Sequence, residues 1–154
     1  MADFTFVRAL NGMTPQTELR TAGGAMEVGD LVVAGGDALA GVASTVDKAA
    51  NSALRGTIMG LCLGKSQEDG SAIADGDLVQ ILPLTGDVLL EGVAKDASLV
   101  NVNAEVGLDV TADVQTFEGA ETNAIGRIYK VVDATAKIVQ VIMYPNSFVV
   151  EIDT

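Results

Sequence analysis

Apolar positions in this chain fall in short runs broken by glycine, proline and acidic turn residues. The best-specified stretch is 124–145. Ile128 and Tyr129 lead into Val131 and Val132, a polar segment spans 133–137, and Ile138, Val139, Gln140, Val141 and Ile142 form a second, β-branched run. Two such runs across a short polar segment predict a β-hairpin, opened at Gly126 and closed at Pro145.

The same pattern recurs upstream. Residues 28–34 and 38–43 read as two strands across the glycine turn 35–37. Residues 57–64 form an apolar strand buried on both faces. Strands follow at 78–83, 87–94, 99–102 and 108–110, with a loop at 117–123 and a last strand at 148–152 on a sheet edge. Residues 65–77 are polar and turn-rich. Only 45–56 has the composition of a short helix, with Asp47 as cap and Gly56 as stop. There is a weak internal echo: Gly29-Asp30-Leu31-Val32 recurs as Gly76-Asp77-Leu78-Val79, and Gly41-Val42-Ala43 as Gly92-Val93-Ala94, at unequal spacings. Many short strands with Gly-rich turns predict an all-β fold, a compact antiparallel sandwich or barrel with at most one short helix.

Residues 1–27 differ from the body. Asn11-Gly12, Thr14-Pro15 and Gly23-Gly24 interrupt the segment repeatedly, a density of turn residues that works against a compact local element. The organisation expected is therefore an extended N-terminal arm at 1–27 and a single β-domain at 28–154. The arm either lies along the domain or reaches a neighbour; a short strand in the domain's own sheet is the other reading. Phe4, Phe6, Val7 and Arg8 are the arm's candidate contact residues, since a segment holding two of the four Phe residues can add a strand to another chain's sheet edge.

Composition changes the picture mainly by exclusion. The chain has 154 residues, the size of one domain. Hydrophobic residues make up 49 % but Tyr only two and Trp none, leaving little for the aromatic platforms that stack on single-stranded nucleic acid. The formal net charge of −12 opposes binding to nucleic acid or an anionic membrane and keeps the folded protein soluble and apart from its neighbours. No apolar stretch is long enough for a spanning helix, and the first residues lack the pattern of a secretory signal.

The residue types that carry chemistry are scarce. There is no histidine, which removes the commonest general base and transition-metal ligand. The single cysteine, Cys62, stands between Leu61 and Leu63 and reads as a small buried hydrophobe without a base to make a thiolate. Glu68-Asp69 and Asp75-Gly76-Asp77 cluster carboxylates as a calcium loop does, but EF-hand spacing is missing, so they read as a solvated loop. Gly64-Lys65-Ser66 lacks the earlier glycine of a phosphate loop. No catalytic residue, cofactor site or metal ligand is assigned.

The strand opening at 28–33, the return at Gly41-Val42-Ala43 and the closing segment from Ala124-Ile125-Gly126-Arg127-Ile128 to Val139-Gln140-Val141-Ile142 together resemble the decoration, or cement, proteins on the heads of tailed bacteriophages. The resemblance covers about residues 28–145. It implies a non-enzymatic β-domain, commonly a homotrimer, made in the host cytoplasm and carried on the virion's capsid surface. There it would bridge neighbouring major capsid subunits, with the N-terminal arm gripping the shell. The alternative is a subunit of a virion fibre or adhesin for host attachment, also β-rich and Gly-rich but ordinarily richer in exposed aromatics.

Overall fold

The structure is a computed structural model that describes residues 3–35, 45–51, 53, 58–84, 87–119 and 123–145. Eleven strands run through them: β1 (Thr5–Ala9), β2 (Glu18–Ala22), β3 (Leu31–Ala34), β4 (Thr45–Lys48), β5 (Ile58–Lys65), β6 (Leu78–Pro83), β7 (Val88–Val93), β8 (Glu105–Thr111), β9 (Val114–Gly119), β10 (Gly126–Asp133) and β11 (Ile138–Met143). The fold is all-β, and the only helical element among the described residues is a 3-10 turn at Ala97–Leu99. The expected strands at 38–43 and 148–152 lie outside the described residues.

The strands form two sheets. One is a closed barrel in the order β2-β4-β3-β5-β6, and the other a six-stranded open sheet in the order β1-β7-β11-β10-β8-β9. The strand pairs are antiparallel except β2 with β4, which is parallel. The chain contributes its first strand to the open sheet, its next five to the barrel, and its last five to the open sheet again.

Mostly small and β-branched residues fill the barrel. Ala22, Val32, Val46, Cys62, Val79 and Ile81 form one buried cluster with Met26 and Ile73, a narrow lumen filled by side chains with no aromatic among them. Cys62 lies here with no exposure, the buried hydrophobe its leucine neighbours predict. A larger cluster lies between the sheets, with Leu31, Ile58, Leu61 and Leu82 of the barrel meeting Phe4, Leu90, Val106, Leu108, Phe117, Ile128, Val139 and Val141 of the open sheet. β3 and β5 thus contribute alternate residues to two cores. Leu61 and Cys62, adjacent and both buried, show why 57–64 reads as apolar on both faces.

A buried amide joins the two sheets. Gln115 on β9 is 1 % exposed. Its Oε1 accepts from Leu31 N at 2.7 Å, and its Nε2 donates to Leu31 O at 3.1 Å and Ala49 O at 3.2 Å. It supplies partners for Leu31 N at the start of β3 and for Ala49 O, and adds a second bond to Leu31 O, which also accepts from Ala49 N at 2.9 Å. Beside it the rings of Phe4 and Phe117 pack at 4.6 Å between centroids. A Cβ on Gly92 would collide with both rings, so the β7 position opposite them must be glycine.

The echoed Gly-Asp motifs are one structure built twice. In each, Asp N bonds back three residues, Asp30 to Glu27 O and Asp77 to Ala74 O, both at 3.1 Å. The glycine before each aspartate has positive φ, 93° at Gly29 and 90° at Gly76, as the third position of a type II turn requires. Each aspartate then caps its own turn: Asp30 Oδ2 accepts from Glu27 N at 2.8 Å, and Asp77 Oδ2 from Ala74 N at 2.9 Å. Met26 and Ile73, each just before its turn, form an antiparallel bridge with one another. Ala22 and Cys62 also correspond, since each exchanges backbone bonds with the opposite Gly-Asp pair. The barrel is therefore an approximate two-fold repeat of strand, turn and strand, with β4 inserted at one seam.

Three sequence expectations are corrected. The helix at 45–56 is not present over its first turn: Thr45–Lys48 is β4, since Val46 fills the barrel and closure outweighs the modest helix propensity of TVDK. Residues 52 and 54–57 lie outside the described set. The strand at 99–102 is replaced by the 3-10 turn and a following bend. The loop at 117–123 begins as strand, because β9 runs from Val114 to Gly119. Residues 3–27 include two strands, β1 paired to β7 and β2 in the barrel wall, the second at a segment where no strand is expected from the sequence. The boundary at 27/28 therefore matches no sheet boundary.

Candidate docking surface

Strand alternation divides the four N-terminal candidate residues. Phe4 is 1 % exposed and belongs to the core, and Phe6 packs partly buried against it. Arg8 is exposed and faces the other way, opposite Leu89 of β7. Val7, 37 % exposed, occupies the bulge between Phe6 and Arg8. The two Phe residues thus hold β1 to its own domain, while Val7 and Arg8 face solvent.

The outward face of the open sheet can be read row by row from its register. Arg8 lies opposite Leu89, Leu89 opposite Ile142, Ile142 opposite Arg127 and Arg127 opposite Glu105. In the next row Thr5, Glu91, Gln140 and Lys130 follow one another. Paired residues share a side of the sheet, so Arg8, Arg127 and Lys130, all exposed, lie on the side away from the core between the sheets, where Leu89 is nonetheless fully buried. The register shifts in β10 accompany two further exposed side chains, Tyr129 at 42 % and Val132 at 46 %.

The charges on this face are unevenly engaged. Glu91 Oε1 accepts from Gln140 Nε2 at 3.3 Å, Glu105 Oε2 from Tyr144 Oη at 2.9 Å, and Asp133 Oδ1 from Thr135 N and Ala136 N at 2.9 and 3.0 Å. The side chains of Arg8, Arg127 and Lys130 have no ion pair or hydrogen bond among the described residues. The sequence carries the hairpin that aims Arg127 and Lys130, but their lack of partners is a tertiary fact that no local pattern encodes.

Other charged clusters are internally satisfied. In the loop at 65–77, Lys65 Nζ contacts Asp69 Oδ1 at 3.0 Å and Asp77 Oδ2 at 3.5 Å. Asp69 also accepts from Ser71 Oγ at 2.6 Å and Ser71 N at 2.9 Å. Hydrogen bonds from Ser71, then Lys65, hold the Asp69 carboxyl well below its usual range, and Asp69 in turn raises the Lys65 ammonium. The described carboxylates form no cluster suited to a metal ion.

Near the end of β7, Lys95 Nζ meets Asp109 Oδ1 at 2.8 Å and Thr111 Oγ1 donates to Asp109 Oδ2 at 2.8 Å. These bonds lower the Asp109 carboxyl, the Lys95 bond being the larger cause. Asp30, 1 % exposed, lies 3.6 Å from Lys48 Nζ. Burial pushes its carboxyl up against the opposing pull of the Glu27 amide and Lys48. Burial likewise pushes the Cys62 thiol up, away from nucleophilic chemistry.

No family model and no curated protein matches this chain. In fold it is similar to a chain of the solved structure "The capsid of Myoviridae Phage XM1", at a TM-score of 0.53 and 15 % identity, over 96 % of this chain and 93 % of that chain.

Proposed function

We propose that this protein is a non-enzymatic structural component of a phage virion, bound to the outside of an icosahedral capsid and stabilising it by bridging neighbouring major capsid subunits. The observation that carries the reading is the fold similarity to a chain of a phage capsid structure, which extends over nearly the whole of both chains. The residue inventory supports it. Histidine is absent, the one thiol is buried in the barrel, and the perturbed carboxylates Asp30, Asp69 and Asp109 are bound to lysines and turn groups.

Binding the assembled shell in preference to its separated subunits would stabilise it by mass action, and a homotrimer would multiply the contacts through effective concentration. Cosedimentation of the purified protein with intact capsids of its source tests the reading. The expected outcome is saturable binding at a fixed number of copies per shell, with shells that resist heating better. Absence of binding overturns it.

A further inference from the structure

We propose that the outward face of the open sheet, around Arg8, Arg127 and Lys130, docks against a carboxylate-rich protein surface. The inference rests on the capsid reading for the partner, a shell subunit; the carboxylate chemistry and the choice of face rest on the structure.

Unpaired cationic donors select the partner. Of the described cations, Arg20, Lys48, Lys65 and Lys95 each have a carboxylate within 4.0 Å, and Lys137 Nζ donates to Lys95 O at 3.2 Å. The three whose side chains have no partner among the described residues all lie on one face of one sheet. At the usual strand spacing Arg8 and Arg127, three strands apart, are about 14 Å from one another, a span suited to a protein surface.

The carboxylates on the same face accept from Gln140, from Tyr144 and from the turn after Asp133 and keep their charge, so what the face offers a partner is unpaired cationic donors and not a net positive charge. Between Arg8 and Arg127 stand Leu89, fully buried, and Ile142, half-buried, while the exposed Tyr129 and Val132 flank Lys130 on β10. An aromatic and aliphatic patch bordered by arginine is the composition enriched at protein interfaces. Arginine in particular pairs with carboxylates through two parallel hydrogen bonds.

A carboxylate partner is favoured over a phosphate backbone by the rest of the molecule. A duplex carries about one charge per 1.7 Å, and a protein of net charge −12 meets that density with repulsion everywhere outside this face. A folded acidic surface presents far fewer charges. Beyond about 8 Å the remaining repulsion is screened at physiological salt, so pairs in contact decide the outcome.

The test compares the full-length protein with the triple variant R8E/R127E/K130E and the milder R8Q/R127Q/K130Q, each checked for an unchanged thermal melt. The Gln variant carries the test if the Glu variant melts early. Shell binding is expected to weaken about tenfold or more in the Glu variant and less in the Gln variant, and wild-type binding to weaken as salt is raised. If wild type binds shells and folded variants bind equally well, the face is wrong and the capsid reading stands.

If wild type binds no shells, the capsid reading falls and immobilised poly-glutamate decides the face. Retention of wild type that is lost in the variants supports it. No retention, or preferential capture by duplex DNA or anionic vesicles, overturns it.

Discussion

The barrel and the open sheet treat their charges in opposite ways. In the barrel every described cation is clamped by a carboxylate: Arg20 by Glu18 at 2.6 Å, Lys48 by Asp30 at 3.6 Å, Lys65 by Asp69 at 3.0 Å. Each belongs to a turn or strand folding back on itself. In the open sheet Lys95 alone is clamped, by Asp109, while Arg8, Arg127 and Lys130 stand clear and the acidic neighbours are bound elsewhere. The difference teaches that a net charge of −12 is a poor guide to what any one face attracts. Short-range contact senses which charges are already engaged, and in that respect the open sheet is the receptive half.

The two halves differ in this way while packed as one body, and the substitution that breaks their union most directly is Gln115→Leu. A leucine there leaves Leu31 N and Ala49 O without the partner Gln115 supplies, while Leu31 O keeps its bond from Ala49 N. Since each such orphan costs about 1–3 kcal/mol, the expected loss is about 2–5 kcal/mol in urea unfolding. A loss under about 1 kcal/mol would mean that the apolar cluster alone joins the sheets.

Gly92→Ala is the next largest. It overpacks the Phe4–Phe117 contact and is expected to cost about 1–3 kcal/mol. Its counterpart in the barrel, Gly76→Ala, enters open space but at φ 90°, so backbone strain alone should cost about 1 kcal/mol. Equal losses at the two glycines would show that the ring contact is soft enough to move aside.

Much of this was legible in the chain, and the exceptions have physical causes. The hairpin of β10 and β11 is where its two apolar runs place it, with Asp133 accepting from the amides of its own turn. The Gly-Asp echo is a true repeat of turns, visible because a type II turn demands glycine at one position and an aspartate can cap it. β9 was hidden because its inward positions are Gln115 and Phe117 while Val114 lies outside, 49 % exposed, which inverts the alternation that marks a strand. The turn before it hid too: Ala112 and Asp113 adopt φ of 51° and 65° without the glycine that usually announces such a turn. β4 was hidden because what fixes it is closure of the barrel. Of the docking face, Arg8 was singled out, but Arg127 and Lys130 gain their meaning only when the register sets them beside it without partners.

The smallest effects expected distinguish the halves by the sign of their response to acid. Asp30 in the barrel has its carboxyl raised above the ordinary 3.8 by burial. As pH climbs past that ordinary value the unfolded chain ionises first, so the folded state loses stability, and the full penalty is present above the raised folded value. Asp109 in the open sheet is lowered, chiefly by its bond to Lys95. Its contribution is complete above the ordinary value and is lost as pH falls below it toward the lowered one. Chemical denaturation of wild type, Asp30→Asn and Asp109→Asn from about pH 3 to about pH 8 spans both ranges and separates them. The stability of wild type relative to Asp30→Asn should decline as pH rises above about 4 and level off once the folded carboxyl has also ionised. Relative to Asp109→Asn it should be flat above about pH 5 and shrink only in stronger acid. Parallel curves for the two variants would mean that the buried Asp30 is compensated by Lys48 as fully as Asp109 is by Lys95, and the contrast between clamped barrel and open sheet would then lie in Arg8, Arg127 and Lys130 alone.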